Sequence, residues 1–150
     1  MLPTKAVRLR LGTLLSTDTT TLNQAANANH VSLIKAPFVP SENLLPADLT
    51  VADFDGFADL LQTLGAALVG VDPVTGDQVV TITAPAGGWR WITTGLTNLP
   101  QSIYGFALFD KTHANLWATI LLPTPIVLQD VGQQIELGDI TLTLVQNPMF

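Results

Sequence analysis

The densest cluster of chemistry-bearing side chains is Asp53-Phe54-Asp55-Gly56-Phe57-Ala58-Asp59. Three carboxylates this close together are the raw material of a calcium loop. With Gly56 at the sixth loop position, Asp53, Asp55 and Asp59 fall on positions three, five and nine. Val51 then stands at position one and Gln62 at position twelve, so the first carboxylate and the closing bidentate glutamate are both missing. The aspartates therefore read as the solvated start of a helix, where negative charge complements the macrodipole. The chain has two histidines, His30 and His113, 83 positions apart, and no cysteine. A base at His113 acting on Ser102 would need a third group to orient it. No nucleophile elbow, H-E-x-x-H pair or Walker loop is present. His113 reads as a surface turn residue. The expectation is a protein that is not an enzyme and uses no metal and no cofactor.

Aromatic side chains offer a different chemistry. Trp89, Trp91 and Trp117, with Tyr104 nearby, have the flat apolar faces on which a sugar ring stacks. In Trp89-Arg90-Trp91-Ile92-Thr93, strand alternation puts both tryptophans on one face and Arg90 with Ile92 on the other. The competing reading is burial in the core or in a subunit interface, and it is preferred. The alternative is a receptor- or carbohydrate-binding module that uses Trp89, Trp91 and Trp117.

The elements that must position these residues centre on residues 102–122. Two apolar runs, 103–109 and 116–122, flank the polar hexapeptide Asp110-Lys111-Thr112-His113-Ala114-Asn115. This is the pattern of a β-hairpin. Tyr104, Phe106 and Leu108 should point one way, and Ile103, Ala107 and Phe109 the other. Both faces are apolar, so the hairpin lies inside a sandwich or another subunit covers one face. Phe106 and Phe109 are accordingly candidate interface residues.

Further strands are expected at 30–35, 66–71, 78–83, 89–93 and 140–145, with a turn at Asp72-Pro73-Val74-Thr75-Gly76-Asp77. Thr50 and Asp53 fit a capping box, predicting a short helix over 51–57. Pro123 and Pro125 should end the hairpin, and 130–139 should be a polar loop. The fold class is all-β: a β-sandwich or jelly roll of about eight antiparallel strands, with one short helix and an extended N-terminal arm.

The arm and linker span residues 1–29 and the sandwich domain residues 30–150. Val7, Leu9 and Leu11 alternate with Arg8 and Arg10 as in a half-buried strand, and 16–29 is a polar tether with no hydrophobic period. These five residues are the other candidate oligomer interface. The 150-residue chain is 47% hydrophobic but only 12% charged, about half the usual share. So little charge leaves the surface poorly defended against association. Beyond residue 10 the chain has three basic and twelve acidic side chains, a formal −9, which disfavours nucleic acid as a partner. Arg8 and Arg10 interrupt the first apolar run, and no stretch reaches 18 apolar residues, so neither an export signal nor a membrane span is expected.

The run Leu45-Pro46-Ala47-Asp48-Leu49-Thr50-Val51-Ala52-Asp53-Phe54-Asp55-Gly56-Phe57-Ala58 resembles an L-A-D-L-T-x-A-D-F-x-G-Y-A pattern, with Pro46 inserted. That pattern is associated with small structural proteins of tailed bacteriophages. Tyr104-Gly105-Phe106-Ala107-Leu108-Phe109-Asp110 is similar to a later strand and turn of those proteins, and 122–145 to their closing segment. The resemblance implies a virion component, whether minor capsid, decoration or tail-associated. Its partners would be copies of itself and other virion proteins, and its location the virion.

Overall fold

The computed structural model describes residues 2–3, 29–41, 43–58, 60–62, 68–71, 73–74, 78–82, 84, 86–109 and 113–144. Within them the chain is all-β and antiparallel. The strands are β1 (Leu2–Pro3), β2 (Asn29–Ile34), β3 (Leu60–Gln62), β4 (Leu68–Val71), β5 (Gln78–Ile82), β6 (Trp89–Ile92), β7 (Gln101–Phe109), β8 (Leu116–Leu128), β9 (Gln134–Leu137) and β10 (Ile140–Leu144). They form a five-stranded sheet in the order β1-β8-β7-β2-β3, a three-stranded sheet β10-β5-β4 and a two-stranded sheet β6-β9. Among the described residues no helix is long and apolar enough to cross a membrane.

The expected hairpin is the β7–β8 pair at the middle of the large sheet, and β2 lies along the other edge of β7, with His30 opposite Phe109 and Leu33 opposite Phe106. Both faces of β7 are apolar, and the chain covers both itself. One face carries Ile103, Phe106 and Leu108 into a core with Trp89, Trp91, Ile135 and Phe54. The other carries Ala107 and Phe109 into a second core with Ile34, Phe38, Leu49 and Leu116. The cover over this second face is the segment between β2 and β3. It returns beside β2, where Lys35 N donates to Thr50 O at 2.8 Å and Ala52 N to Leu33 O at 2.9 Å.

Four expectations are corrected here. The side chains of β7 do not alternate without a break. Ile103 shares the core of Phe106, and Tyr104 packs on the core of Phe109. The cause is a register shift between Ile103 and Gly105, where Leu122, Pro123, Thr124 and Pro125 stand opposite Tyr104 alone. Such an irregularity turns the following side chains to the opposite face. The same shift explains a second correction. Pro123 and Pro125 do not end β8, because they occupy the stretch where the ladder is already interrupted and their missing N–H groups cost little.

Third, residues 51–57 form no helix. Thr50 and Ala52 spend their backbone groups on β2, Val51 bridges Ile34, and only a single turn closes from Phe57 N to Phe54 O. Gly56 has φ +95°, outside the helical region, and a Cβ there would sit 2.2 Å from Ile92 O. The one helical turn among the described residues is a 3₁₀ turn at Pro46–Asp48, where the Asp48 carboxylate accepts from Leu45 N at 2.8 Å. Fourth, the expected loop at 130–139 contains β9, which pairs with β6 and sets Arg90 against Glu136 at 2.7 Å. The turn into β9 is held by Thr93, 1% exposed, whose Oγ1 donates to Asp130 O at 2.6 Å and accepts from Gln133 N at 2.9 Å.

Phe106 and Phe109 are thus core residues of their own chain, 5% and 2% exposed. Truncating a buried Phe typically costs about 3–5 kcal/mol. Phe106→Lys and Phe109→Lys should each cost at least that much, read as a fall in the urea midpoint. Wild-type stability in either variant would show that its ring is not part of a core.

Candidate functional site

The residues that the sequence singles out separate into three groups. Val7, Arg8, Leu9, Arg10 and Leu11 lie outside the described residues. Phe106 and Phe109, expected at an interface, are packed inside the chain and are not presented to a partner. Trp89 and Trp91 share a face as expected, but it is the inward one, at 1% and 2% exposed. Trp91 also donates its indole N–H to Ala58 O at 2.9 Å. An indole in this position has no free face for a sugar, so the stacking platform loses two of its three members. Trp117 lies on β8 and its side chain is not described.

Two residues of the acidic cluster, Asp53 and Asp55, are drawn into the architecture. Asp53 sits beside Lys35 in an ion pair and accepts from Gln101 Nε2 at 2.6 Å. Gln101, 8% exposed, accepts through its Oε1 from Asp53 N at 3.2 Å, so the two residues clasp each other reciprocally. The clamp joins the end of β2, the covering segment and the start of β7. Asp55 accepts from Thr97 N at 3.3 Å. Asp59 lies outside the described residues. Among those described, no group of three His, Cys, Asp or Glu is placed to hold a metal ion.

Two surface features remain once the cores and clamps are assigned. The first is the outer edge of β8. β1 pairs with it only at Ala118 and Thr119, and past Thr119 no strand among the described residues occupies that edge. Residues 123–127 are exposed in sequence. Leu121, Ile126 and Val127 are 44%, 38% and 45% exposed, and β8 carries no Asp, Glu, Lys or Arg over its whole length. Natural edge strands are commonly guarded by charge, by proline or by bulges. β8 has the proline and bulge guards at 122–125 but no charge on either side of them.

The second feature is the meeting of the two histidines. His30 Nδ1 and His113 Nε2 lie 3.0 Å apart with the rings edge to face. The His113 ring also stacks on Phe109, centroids 4.7 Å apart at 20°. Beside it an open groove of about 630 Å³ is lined mainly by Leu45, Pro46, Leu49, Val51 and Phe109. Sequence reading missed this pair because its members are remote in the chain. Only the pairing of β2 with β7 brings them together, since His30 lies opposite Phe109 and Phe109 lies under His113. With this geometry in hand, no protein-family model, curated protein or solved structure matches the chain.

The clamp has a pH signature. The hydrogen bond from Lys35, then that from Gln101, with the Lys35 charge adding less, hold the Asp53 carboxyl below its ordinary 3.8. A carboxyl depressed in the folded state stabilises the fold at pH values above its unfolded pKa. That contribution disappears as pH falls through the folded value. Asp53→Asn should therefore lower the urea midpoint at pH 7, and the difference from wild type should shrink below pH 3.8. An equal difference at both pH values would mean that the carboxylate charge contributes nothing. Gln101→Ala, which strands Asp53 N, should cost about 1–3 kcal/mol at either pH.

Proposed function

We propose that this chain is a non-enzymatic structural protein of a bacteriophage virion, a minor capsid, decoration or tail-associated component. It assembles with copies of itself and with other virion proteins through β-rich contacts. The observation that carries this reading is the outer edge of β8, long, uncharged and partly apolar, with Leu121, Ile126 and Val127 exposed. Association through such an edge takes its affinity from main-chain hydrogen bonds and its selectivity from alternate side chains. The low charge of the whole chain and the run from Leu45 to Ala58 support the same reading.

In this proposal the three sheets make up a β-sandwich or jelly roll in residues 30–150, and residues 1–29 are its arm. Leu2–Pro3 already occupies β8 of its own chain. The same edge in a neighbouring copy can accept the same segment, and exchange of an identical element between copies is a low-cost route to assembly. Val7, Leu9 and Leu11 extend the added strand. Arg8 and Arg10 approach the acidic body, where their charge chiefly speeds and orients docking. The tether of residues 16–29 spans up to about 3.3–3.6 Å per residue, ample to reach an adjacent copy.

The test is light scattering on the full chain and on a chain lacking residues 1–29, with circular dichroism alongside. The expected result is a full chain that forms oligomers and a truncated chain that keeps its β signal but sediments as a monomer. Val127→Lys, which places a charge on the exposed edge, should also shift the full chain toward monomer without lowering its melting temperature. A full chain that stays monomeric at high concentration would overturn the proposal. So would unfolding of the truncated chain, which would place the arm in its own core.

A further inference from the structure

The two histidines meet from distant parts of the chain through a 3.0 Å contact between His30 Nδ1 and His113 Nε2, which the assembly proposal does not use. They are held in place from several directions. His30 is fixed by β2, in register with Phe109 across the sheet. His113 lies in the β7–β8 turn with φ 57°, a left-handed conformation that sets the direction of its side chain. Its ring lies on Phe109, itself 2% exposed. One buried phenyl ring thus registers both imidazoles. Side chains already ordered by packing lose little further freedom when they bind a ligand.

We propose that His30 Nδ1 and His113 Nε2 form a two-imidazole site for a divalent first-row transition metal, with Cu(II) the preferred ion. Imidazole nitrogens bind such ions at about 2.0–2.1 Å. Two of them in adjacent positions of a tetragonal site then lie about 2.8–3.0 Å apart, against about 3.3–3.4 Å in a tetrahedral one. The 3.0 Å separation here is that of a hydrogen bond between the rings, and it falls in the range a tetragonal ion needs, the geometry that Cu(II) and Ni(II) favour. Cu(II) also stands at the top of the affinity order for nitrogen ligands.

The proton balance is simple. Without metal, one ring carries a hydrogen between the two nitrogens and the other ring accepts it. On binding, that ring moves its proton to its other nitrogen by exchange with solvent, and both facing lone pairs turn to the ion. No third His, Cys, Asp or Glu among the described residues completes the set. The two imidazoles supply two adjacent positions of the ion's coordination shell.

The experiment is a Cu(II) titration of the full-length chain at pH 7.5 in the presence of a weak competing chelator, followed by continuous-wave and pulsed electron paramagnetic resonance. The wild type should take up one ion with two equatorial imidazole nitrogens. His30→Asn and His113→Asn should each weaken binding at least tenfold and leave one such nitrogen. Binding of wild-type strength in either variant would overturn the proposal. If a variant fails to fold, the wild-type resonance spectrum decides by itself: a single nitrogen or none refutes the shared site. None of these readouts depends on oligomeric state, so the result is independent of the assembly proposal.

Discussion

The structure depends on one constraint: a central strand that is apolar on both faces must be covered twice. β7 delivers Ile103, Phe106 and Leu108 to one side of the large sheet and Ala107 and Phe109 to the other. Leaving either face in water would cost the transfer free energy of several large side chains, each about 1.5–3 kcal/mol. The β6–β9 pair covers one face, and the segment between β2 and β3 covers the other. Gly105 lies where these demands meet. A Cβ there would lie 2.1 Å from Ile120 O and 2.8 Å from the Phe38 ring, so a side chain would push the second cover off the sheet. The break in alternation at this glycine is what lets Tyr104 and Phe109 serve the same core.

A cover whose regular structure is one 3₁₀ turn and a single bridge needs polar fixings, because its backbone groups cannot be buried unpaired. The segment meets this need by borrowing β2, through Lys35, Thr50, Ala52 and Leu33, and by the clasp of Asp53 with Gln101 and Lys35. Asn98 adds a bond to Asp53 O at 2.9 Å. Asp53 and Asp55, which look like ligand chemistry in the sequence, are therefore fixings in the fold. Asp53 pins the second cover to the start of the strand that this cover protects.

What the sequence reveals follows the range of the interactions involved. The β7–β8 hairpin, the β4–β5 pair and the shared face of Trp89 and Trp91 rest on local apolar patterns, and all three are found. The short helix is not, because Thr50 and Asp53 imitate a local cap while their actual partners are Lys35 and Gln101, remote in sequence. β9 is missed because Gln134-Ile135-Glu136-Leu137 is short and half polar, and only Trp89 and Trp91 opposite it explain the burial of Ile135. The histidine pair has no local signal at all. Its closeness is a property of sheet order, which pattern reading does not supply.

The same constraint bears on how the chain can associate. Once both faces of the central strands are buried by the chain itself, no large flat apolar face is left on β7 for a second copy to cover. What remains is the perimeter of the sheet, and there β8 is unlike a strand selected to stay alone. It carries no charge, and its guards are confined to the proline bulge. The bulge itself follows from the double cover, since it is where β7 changes the faces that its side chains serve. The two-sided core therefore leaves the edges of the sheet, rather than the faces of β7, open to backbone pairing, and Leu2–Pro3 of the same chain already pairs with one of them.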